Sequence, residues 1–571
     1  MNDRTTGPKS QNPGTEPHQR FGLWLLLSLG MLVGLAGLAG LALTGRMVAM
    51  PGWAIGRVEA RLNSALAPVE VRIGGMDVLV SRDSVPAIHF SDVVVLDAAG
   101  RDIAALPEIG ATLSGQGLLS GRIDVTHVAL SGAELTLRRA PDGRLDLALG
   151  GTGAPVSAAG SLGEVLDEID RALSSPGLAA IRGVSVEGLG LIFEDARAGR
   201  TWNVENGLMT LDQTEAEVAV RAFFSLRGAG EVPAELAFDF TSLKGSPAAR
   251  FAANFSDVPS ADIATQSPAL AALALIDAPI AGAIRTEVDA SGTLGPLSAA
   301  LEIGAGVLRP AGGAPPIGFA AGKSYFTYDP ALRRLNFDQI ALDTAVLRMT
   351  AEGHAYLRDM EGGWPETLIG QLAFREVALD PEGVFEAPAV FNGGALDLKL
   401  RLDPLTATLG QVVLLDEGRA YRGRGVVRAL SQGWDVAVDA EIDEISDKRL
   451  LALWPLNVAG KTRKCFSENV LTSDLYDVRV ALRLPPDGPP RMSLTHAFRD
   501  AEVQVLKTMP AIRDGRGYST IEGRRYTLSV EGGTIPVPML GPSMWRARPC
   551  RSRTSPKSPP RRGSSCAPEA Q

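Results

Sequence analysis

Residues 394–403 read GALDLKLRLD, and in this stretch every second position from Leu396 onward is a leucine. The residues between the leucines are charged. Because successive side chains of a β-strand point to opposite faces of a sheet, the stretch predicts a strand with one apolar and one charged face. The same period of two recurs at residues 218–227, 434–443 and 476–484. The sequence therefore predicts a mainly β fold in which antiparallel strands share one apolar face.

Helical signals are few in this chain of 571 residues, in which 63 glycines and 38 prolines fall at short intervals. Such punctuation is typical of many turns and few long helices. We predict one helix at residues 53–66, and residues 162–173 have helical spacing in a connector. Segments 450–454 and 501–509 fit either short helices or buried strands.

An internal echo links residues 128–143 to residues 184–199, because Val128 and Gly132 recur 56 positions later as Val184 and Gly188. Both segments read as strand, glycine turn and strand. Repetition of this kind favours an array of hairpins over one compact domain.

An uncharged apolar stretch occupies residues 21–45, between Arg20 and Arg46. It is long enough to span a bilayer, whereas the apolar region of a cleaved signal has about 7 to 15 residues. We therefore expect a transmembrane anchor rather than a cleaved signal. The short segment 1–20 suits a cytoplasmic stub, which would place the bulk of the chain outside the inner membrane.

The apolar strand faces must be buried on something, and helices are too scarce to cover them. Two stacked sheets would form a closed sandwich. A single sheet that curls on itself would instead form an elongated trough with an exposed apolar lining, which usually has a ligand or partner. The period of two alone does not decide between the sandwich and the trough. The candidate lining residues are Val218, Val220, Phe224, Leu396, Leu398, Leu400, Val436, Val438, Val478 and Val480.

No catalytic, metal or cofactor site is predicted. The net charge of −9 gives no electrostatic reason to bind nucleic acid. The five histidines are scattered, and we expect His127 to be a structural residue on a strand. The acidic run 441–447 lacks a calcium-binding loop and reads as an outward strand face that leads into a helix. The Gly/Pro-rich stretch 306–318 reads as a turn or flexible loop.

The composition changes at residues 546–571, which are basic and rich in proline and serine. One interpretation is a disordered tail that touches anionic lipid. The other is that this end is not native sequence, for example an out-of-frame end.

Between the anchor and this tail we expect two parts: an N-terminal β segment at 46–160 and a central β region at 161–545.

A family resemblance rests on five segments: L-x-G-x-I-x-V strands from Leu119 to Leu135, PIAGAIRTEVDASGTLGPLSAALEIGAGVL at 279–308, a tyrosine-containing hairpin from Ser324, LWPLNVAGKTRKCFSENV from Leu453, and MPAIRDGRG from Met509. Together with the apolar anchor, these segments resemble the AsmA-like proteins of Gram-negative bacteria, in particular the YhdP-type branch. The chain departs from that pattern at Cys465 and Phe466, in place of a tryptophan, and at Ala511, in place of a second proline. The resemblance covers roughly residues 20–545.

The resemblance implies a taco-shaped β-groove that is anchored in the inner membrane and projects into the periplasm. It further implies phospholipid transport toward the outer membrane, or upkeep of that membrane's lipid balance, with no catalytic residues. The expected partners are the membrane, phospholipids and envelope proteins. Two other hypotheses stay open: a scaffold for outer-membrane protein assembly that pairs with client strands, and an envelope enzyme.

Overall fold

The computed structural model of the chain describes residues 47–66, 70–80, 86–96, 102–120, 124–141, 145–149, 157–159, 179–196, 199–227, 233–310, 313–380, 385–456, 458–506, 508–522, 525–536, 543–544 and 550–552. The predicted anchor at 21–45, the predicted connector helix at 162–173 and most of the basic tail lie outside these residues. The fold is mainly β, with few and short helices, as the sequence predicted.

The described chain divides into two compact units. The first comprises the described residues up to Glu194 together with Asn203–Val218. The second comprises Asp195–Trp202 and the described residues from Ala219 onward. The sequence had placed its boundary earlier, between residues 160 and 161.

The strands are numbered in chain order. The first eleven are β1 Met47–Ala49, β2 Glu70–Val80, β3 Pro86–Leu96, β4 Asp102–Leu113, β5 Val125–Ser131, β6 Glu134–Arg139, β7 Leu145–Leu149, β8 Ser157–Ala159, β9 Gly183–Asp195, β10 Arg200–Gln213 and β11 Glu217–Arg227. The next ten are β12 Ala234–Leu243, β13 Ala249–Pro259, β14 Ile276–Asp277, β15 Pro279–Val288, β16 Leu297–Ile303, β17 Gly306–Leu308, β18 Ile317–Asp329, β19 Arg334–Thr344, β20 Leu347–Glu361 and β21 Trp364–Leu379. The last eleven are β22 Ala389–Phe391, β23 Gly394–Arg401, β24 Thr406–Asp416, β25 Arg419–Leu430, β26 Gly433–Ser446, β27 Val470–Leu484, β28 Arg491–Val503, β29 Ile512–Glu522, β30 Arg525–Ile535, β31 Ser543–Met544 and β32 Cys550–Ser552.

The helices are α1 Gly52–Leu66, α2 Gly115–Leu119, α3 Ser260–Ala264, a 3-10 helix Pro268–Leu275, α4 Asp447–Leu453 and α5 Gly460–Asn469. Helix α1 confirms the prediction for residues 53–66. The two ambiguous segments resolve differently: residues 450–453 belong to α4, whereas residues 501–503 end strand β28. The acidic run enters α4 as predicted, because Ser446 caps that helix by accepting a hydrogen bond from the Arg449 amide.

In the first unit, helix α1 packs on strands β2 and β3 through apolar side chains that include Val71, Ile73 and Val93. Polar side chains of α1 also form hydrogen bonds with backbone groups of β2. Asn63 both accepts a hydrogen bond from the Val71 amide at 2.6 Å and donates one to its carbonyl at 3.2 Å. Buried backbone groups need such partners, so the helix completes an edge of this sheet.

The internal echo does not form two separate hairpins. Strands β5 and β9 pair in parallel, with Val128 opposite Val184, and the two copies therefore lie side by side. Gly132 and Gly188, equivalent in the echo, both have positive φ (71° and 64°), a conformation that glycine adopts without steric cost. The expectation of purely antiparallel pairing was wrong here, because local turn signals carry no information about which distant strands pair.

In the second unit, strands pair antiparallel in an uninterrupted row. The row contains β12, β13, β15, β16 and β18 to β21, followed by β23 to β30. Each strand pairs with the preceding member of the row. The tyrosine-containing hairpin predicted from Ser324 is the β18–β19 hairpin. From the basic tail, residues 550–552 pair with β30.

Two strand glycines lie where neighbouring backbones approach closely. A Cβ atom on Gly370 would lie 2.8 Å from the His354 carbonyl oxygen, and one on Gly425 would lie 2.8 Å from that of Ala437. Real side chains do not tolerate such contacts with backbone. Glycine in a strand interior often marks such an approach or a tight bend.

We expect Gly425→Ala to destabilise the fold by about 1–3 kcal/mol, because the added methyl group collides with backbone that must shift. The matched control is Gly318→Ala in β18, where an added Cβ meets nothing within 4 Å. That substitution should be neutral or stabilising by about 0.5–1 kcal/mol. Urea unfolding of both variants measures the difference, and equal midpoints would contradict the close approach at Gly425.

Candidate functional site

One apolar face continues from strand to strand along the row of the second unit. Leu398 on β23 lies opposite Gly370 on β21 and Leu409 on β24. Val438 on β26 lies opposite Gly425 on β25 and Leu482 on β27. Because directly paired residues share a face, the register places these side chains on a common surface. The same register extends the surface to Phe251, Ile284, Leu301, Phe326, Phe337, Ala355, Leu372, Val412, Val427, Leu494, Ile521 and Leu528.

The opposite face carries cross-strand ion pairs. Arg422 Nη1 lies 2.7 Å from Asp443 Oδ2, and Arg483 Nη2 lies 2.6 Å from Asp439 Oδ1. Lys323 and Glu302 pair in the same way at 2.8 Å. Exposed pairs of this kind add little stability, but they keep this face hydrated. The alternation in residues 394–403 and 434–443 thus marks the two faces correctly.

Two groups of helices cover parts of the apolar face. The segment formed by α3 and the 3-10 helix packs Ile263 and Leu270 against Ile280, Leu301 and other side chains of β15 to β20. Helices α4 and α5 pack Leu450 and Phe466 over the ends of β25 to β29, together with Trp454 at the C-cap of α4. The apolar face is therefore a core where the helices lie on it.

The ten predicted lining residues fall into different environments. Val218, Val220 and Phe224 lie on β11, where Val218 is only 4% exposed. Val478 is 1% exposed and belongs to the core beneath α4 and α5, so it is not a surface residue. Val480 packs against that core, and Leu400 packs near Leu405 and Ala429.

Leu396, Leu398, Val436 and Val438 differ from Leu400, Val478 and Val480, whereas Val220 and Phe224 on β11 are also partly exposed. The first four are partly exposed, and they are not among the side chains that pack against the helix-covered clusters. Sequence reasoning missed the aromatic members of the same face, such as Phe326 and Phe337, because register shifts next to both residues interrupt the period of two in their strands. Only the cross-strand register identifies them.

The row bends between β18 and β26. Trp434 Nε1 donates a hydrogen bond to the Pro315 carbonyl oxygen at 2.8 Å. Pro315 precedes β18, and Trp434 is the second residue of β26, seven steps further along the row. In a flat sheet these seven steps would span about 34 Å. Around this contact, Ala314 and Leu308 pack with Leu405 and Ala429. The segment expected to be a turn or flexible loop thus contains the short strand β17, the first two residues of β18 and a packed contact.

Helix α4 is anchored by a buried polar cluster. Arg449 Nε lies 2.6 Å from Asp416 Oδ2, and Arg449 also donates to the Val390 carbonyl oxygen at 2.8 Å. Tyr421 donates to the same Asp416 oxygen at 3.1 Å. Burial, followed by the Asp416 charge, raises the pKa of Tyr421 to about 12. Removing one member of such a buried pair leaves the other charge uncompensated, so the cluster fixes the helix over the sheet.

A second polar group interrupts the apolar face beneath α5. His496 Nε2 and Ser519 Oγ are 2.6 Å apart, and both side chains are buried. Desolvation lowers the pKa of His496 to about 4. Desolvation also raises the pKa of the nearby Tyr526 to about 12. The histidine is therefore neutral at physiological pH, and its Nε2 atom forms a hydrogen bond with the Ser519 hydroxyl group.

Within the described part of the chain, no group of three or more His, Cys, Asp or Glu side chains is arranged to hold a metal ion. Members of the acidic run act as ion-pair partners, since Asp443 pairs with Arg422 and Glu444 with Arg499. His127 is exposed on β5. Among the described helices, none is both long and apolar enough to cross a membrane.

The chain matches no protein-family model, no curated protein and no solved structure. The resemblance to the AsmA-like proteins therefore stays a prediction.

We expect the stability of the fold to fall as the pH drops from about 6.5 to about 4, by at most about 3 kcal/mol from His496 alone. The folded state favours the neutral imidazole, so its contribution is complete above the ordinary pKa of 6.5 and is lost as the pH approaches 4. Urea unfolding between pH 7 and pH 4 measures this dependence.

The variant His496→Gln removes the titrating group and should flatten the acid slope. The matched control, His127→Gln, changes an exposed histidine and should leave the slope as in the parent chain. An unchanged slope in His496→Gln would show that His496 is not buried as described.

Proposed function

We propose that this chain is an inner-membrane-anchored envelope protein whose elongated sheet curls into a groove that carries phospholipid acyl chains. Its role would be lipid transport between the inner and outer membranes, or upkeep of the lipid composition of the outer membrane. Residues 21–45 would supply the single anchor, residues 1–20 would form a short cytoplasmic stub, and the bulk of the chain would lie in the periplasm.

The observation that carries the proposal is the continuous apolar face on which Leu396, Leu398, Val436 and Val438 stay partly exposed. A closed sandwich would bury these side chains against a facing sheet. The bend between β18 and β26, in which Trp434 reaches Pro315, supports a groove with the apolar face inside. The ion pairs on the opposite face suit an exterior in contact with water.

The energetics also favour an acyl chain as the occupant. Moving a methylene group from water to an apolar lining is favourable by about 0.8 kcal/mol. A lining of aliphatic side chains offers a long chain many similar positions, with few polar groups to hold it at one place. We place the path along the uncovered band that contains Leu398 and Val438.

The central test is Val438→Asp, which puts a charge on the apolar face. We expect the purified full-length variant, solubilised in detergent, to retain at least about fivefold less phospholipid than the parent chain, because an unpaired charge next to hydrocarbon is costly. Lipid extraction with mass spectrometry gives the phospholipid per chain. Circular dichroism and the thermal midpoint establish that the variant is folded.

The matched control is Ala437→Asp, which adds the same charge one residue earlier, on the polar face opposite Arg483. It should retain lipid as the parent chain does. If Val438→Asp does not fold, Val438→Thr supplies a polar group of similar shape. A folded Val438 variant with parental lipid content would rule out this path. A folded, lipid-free parent chain that co-purifies with protein would instead favour the scaffold hypothesis.

A further inference from the structure

The polar face of the second unit contains a concavity of about 500 Å³ that lies across β20 to β24. Five polar side chains line it: His354, Gln371, Asp397, Lys399 and Thr408. Tyr356 and Ile369 supply its apolar wall, and Ile369 is 43% exposed there. Leu398 and Gly370 also border the concavity, but the polar side chains that line it lie on the face opposite to the leucines of β23, away from the proposed lipid path.

The concavity has a local backbone cause. The pairing of β23 with β24 shifts register between Asp397 and Leu398, and that of β24 with β25 shifts between Leu409 and Val412. Such bulges bend a strand and re-aim its side chains. Gly410 lies in this irregular stretch and contributes no side chain, so the floor stays open.

The charge around the concavity is unbalanced. On the same sheet, Arg375 and Arg422 have acidic partners at 2.5 Å and 2.7 Å. By contrast, no ion pair to Lys399, Arg334 or Arg358 is formed by the residues that the structure describes. The guanidinium groups of Arg334 and Arg358 lie 5.6 Å and 5.2 Å from the centre of the Tyr356 ring, beside the concavity. An anionic group bound here would meet net positive charge.

The lining is not that of a simple anion site, because the Asp397 carboxylate is part of it. Gln371 Nε2 donates to Asp397 Oδ1 at 3.0 Å, which orients the carboxylate as an acceptor. Lys399 is a donor only, whereas the Thr408 hydroxyl and the Gln371 amide group both donate and accept. A ligand with several hydroxyl groups can use donors and acceptors together. Ile369 and Tyr356 suit the C–H face of a ring.

We propose that this concavity binds a saccharide that carries a negatively charged group. Asp397, Gln371 and Thr408 would bond its hydroxyl groups, and Ile369 would contact its ring. Lys399, with the guanidinium groups beside Tyr356, would attract the carboxylate or phosphate. This matches the general pattern of ligand sites, in which a few convergent polar groups stand against an apolar wall.

The test is isothermal titration calorimetry of the full-length chain in detergent with two probes: a hexamer of galacturonic acid and the neutral maltohexaose. We expect the anionic hexamer to bind with a Kd of about 0.1–1 mM and maltohexaose at least about tenfold more weakly. Gly410→Phe should fill the concavity and weaken the anionic hexamer at least about tenfold. The fold should tolerate the change, because the nearest atoms to an added Cβ belong to Asp397, at 3.7 Å.

The matched control is Gly318→Phe, at another exposed strand glycine with open space around it, and it should bind as the parent chain does. If Gly410→Phe does not fold, Gln371→Leu replaces it and should also weaken binding, because it removes an amide group that would bond the saccharide hydroxyl groups. Lys399→Met should weaken the anionic hexamer and leave maltohexaose unchanged. No binding of the anionic hexamer at about 10 mM, parental binding by a folded Gly410→Phe, or equal affinity for both probes would each overturn the proposal.

Discussion

The alternation of apolar and polar side chains, held in register from one strand to the next, is the constraint on which the second unit depends. A slip of one residue would exchange the two faces of a strand. Several strands nevertheless need an extra residue, as where β27 shifts register between Tyr476 and Arg479. The bulges absorb these residues, so Val478 and Val480 on one side of the row remain on the same face as Leu398 further along it. Without this correction the apolar face would break into unconnected patches.

The bend of the row depends on the glycines of the apolar face as well as on its large side chains. Gly370 and Gly425 stand where Cβ atoms would meet neighbouring backbone, and each lies opposite one of the partly exposed residues Leu398 and Val438. Glycines thus lie opposite larger side chains on this face, and the absence of a Cβ atom lets the neighbouring strands approach each other closely there. Helices then cover the face only in part, and the anchored α4, with its Arg449–Asp416 pair, limits how far that cover extends. The uncovered band, which contains Leu398 and Val438, is the part of the apolar face that the described helices leave exposed.

Local patterning predicted more of the fold than of the sites. The face assignment of residues 394–403 follows from period two alone, and helix α1 follows from its spacing. The parallel pairing of Val128 with Val184 does not, because it joins strands separated by a long stretch of chain. The core position of Val478 depends on the distant helices α4 and α5. The concavity near Lys399 combines side chains of four strands with a bulge at Gly410, and no single segment contains that information.

The sequential pairing of the row also bears on how the chain reaches its native state. From β13 to β30, each strand of the row pairs with the strand of the row that precedes it in the chain. Only turns, short strands and helices lie between the two partners. Contacts of this type are local, and proteins rich in local contacts fold faster than those built from distant pairings. The row can therefore grow in the direction of synthesis, with each new hairpin added to a finished edge. Because that edge is sticky until the next strand arrives, the rate at which the chain emerges would set how long it stays open to mispairing.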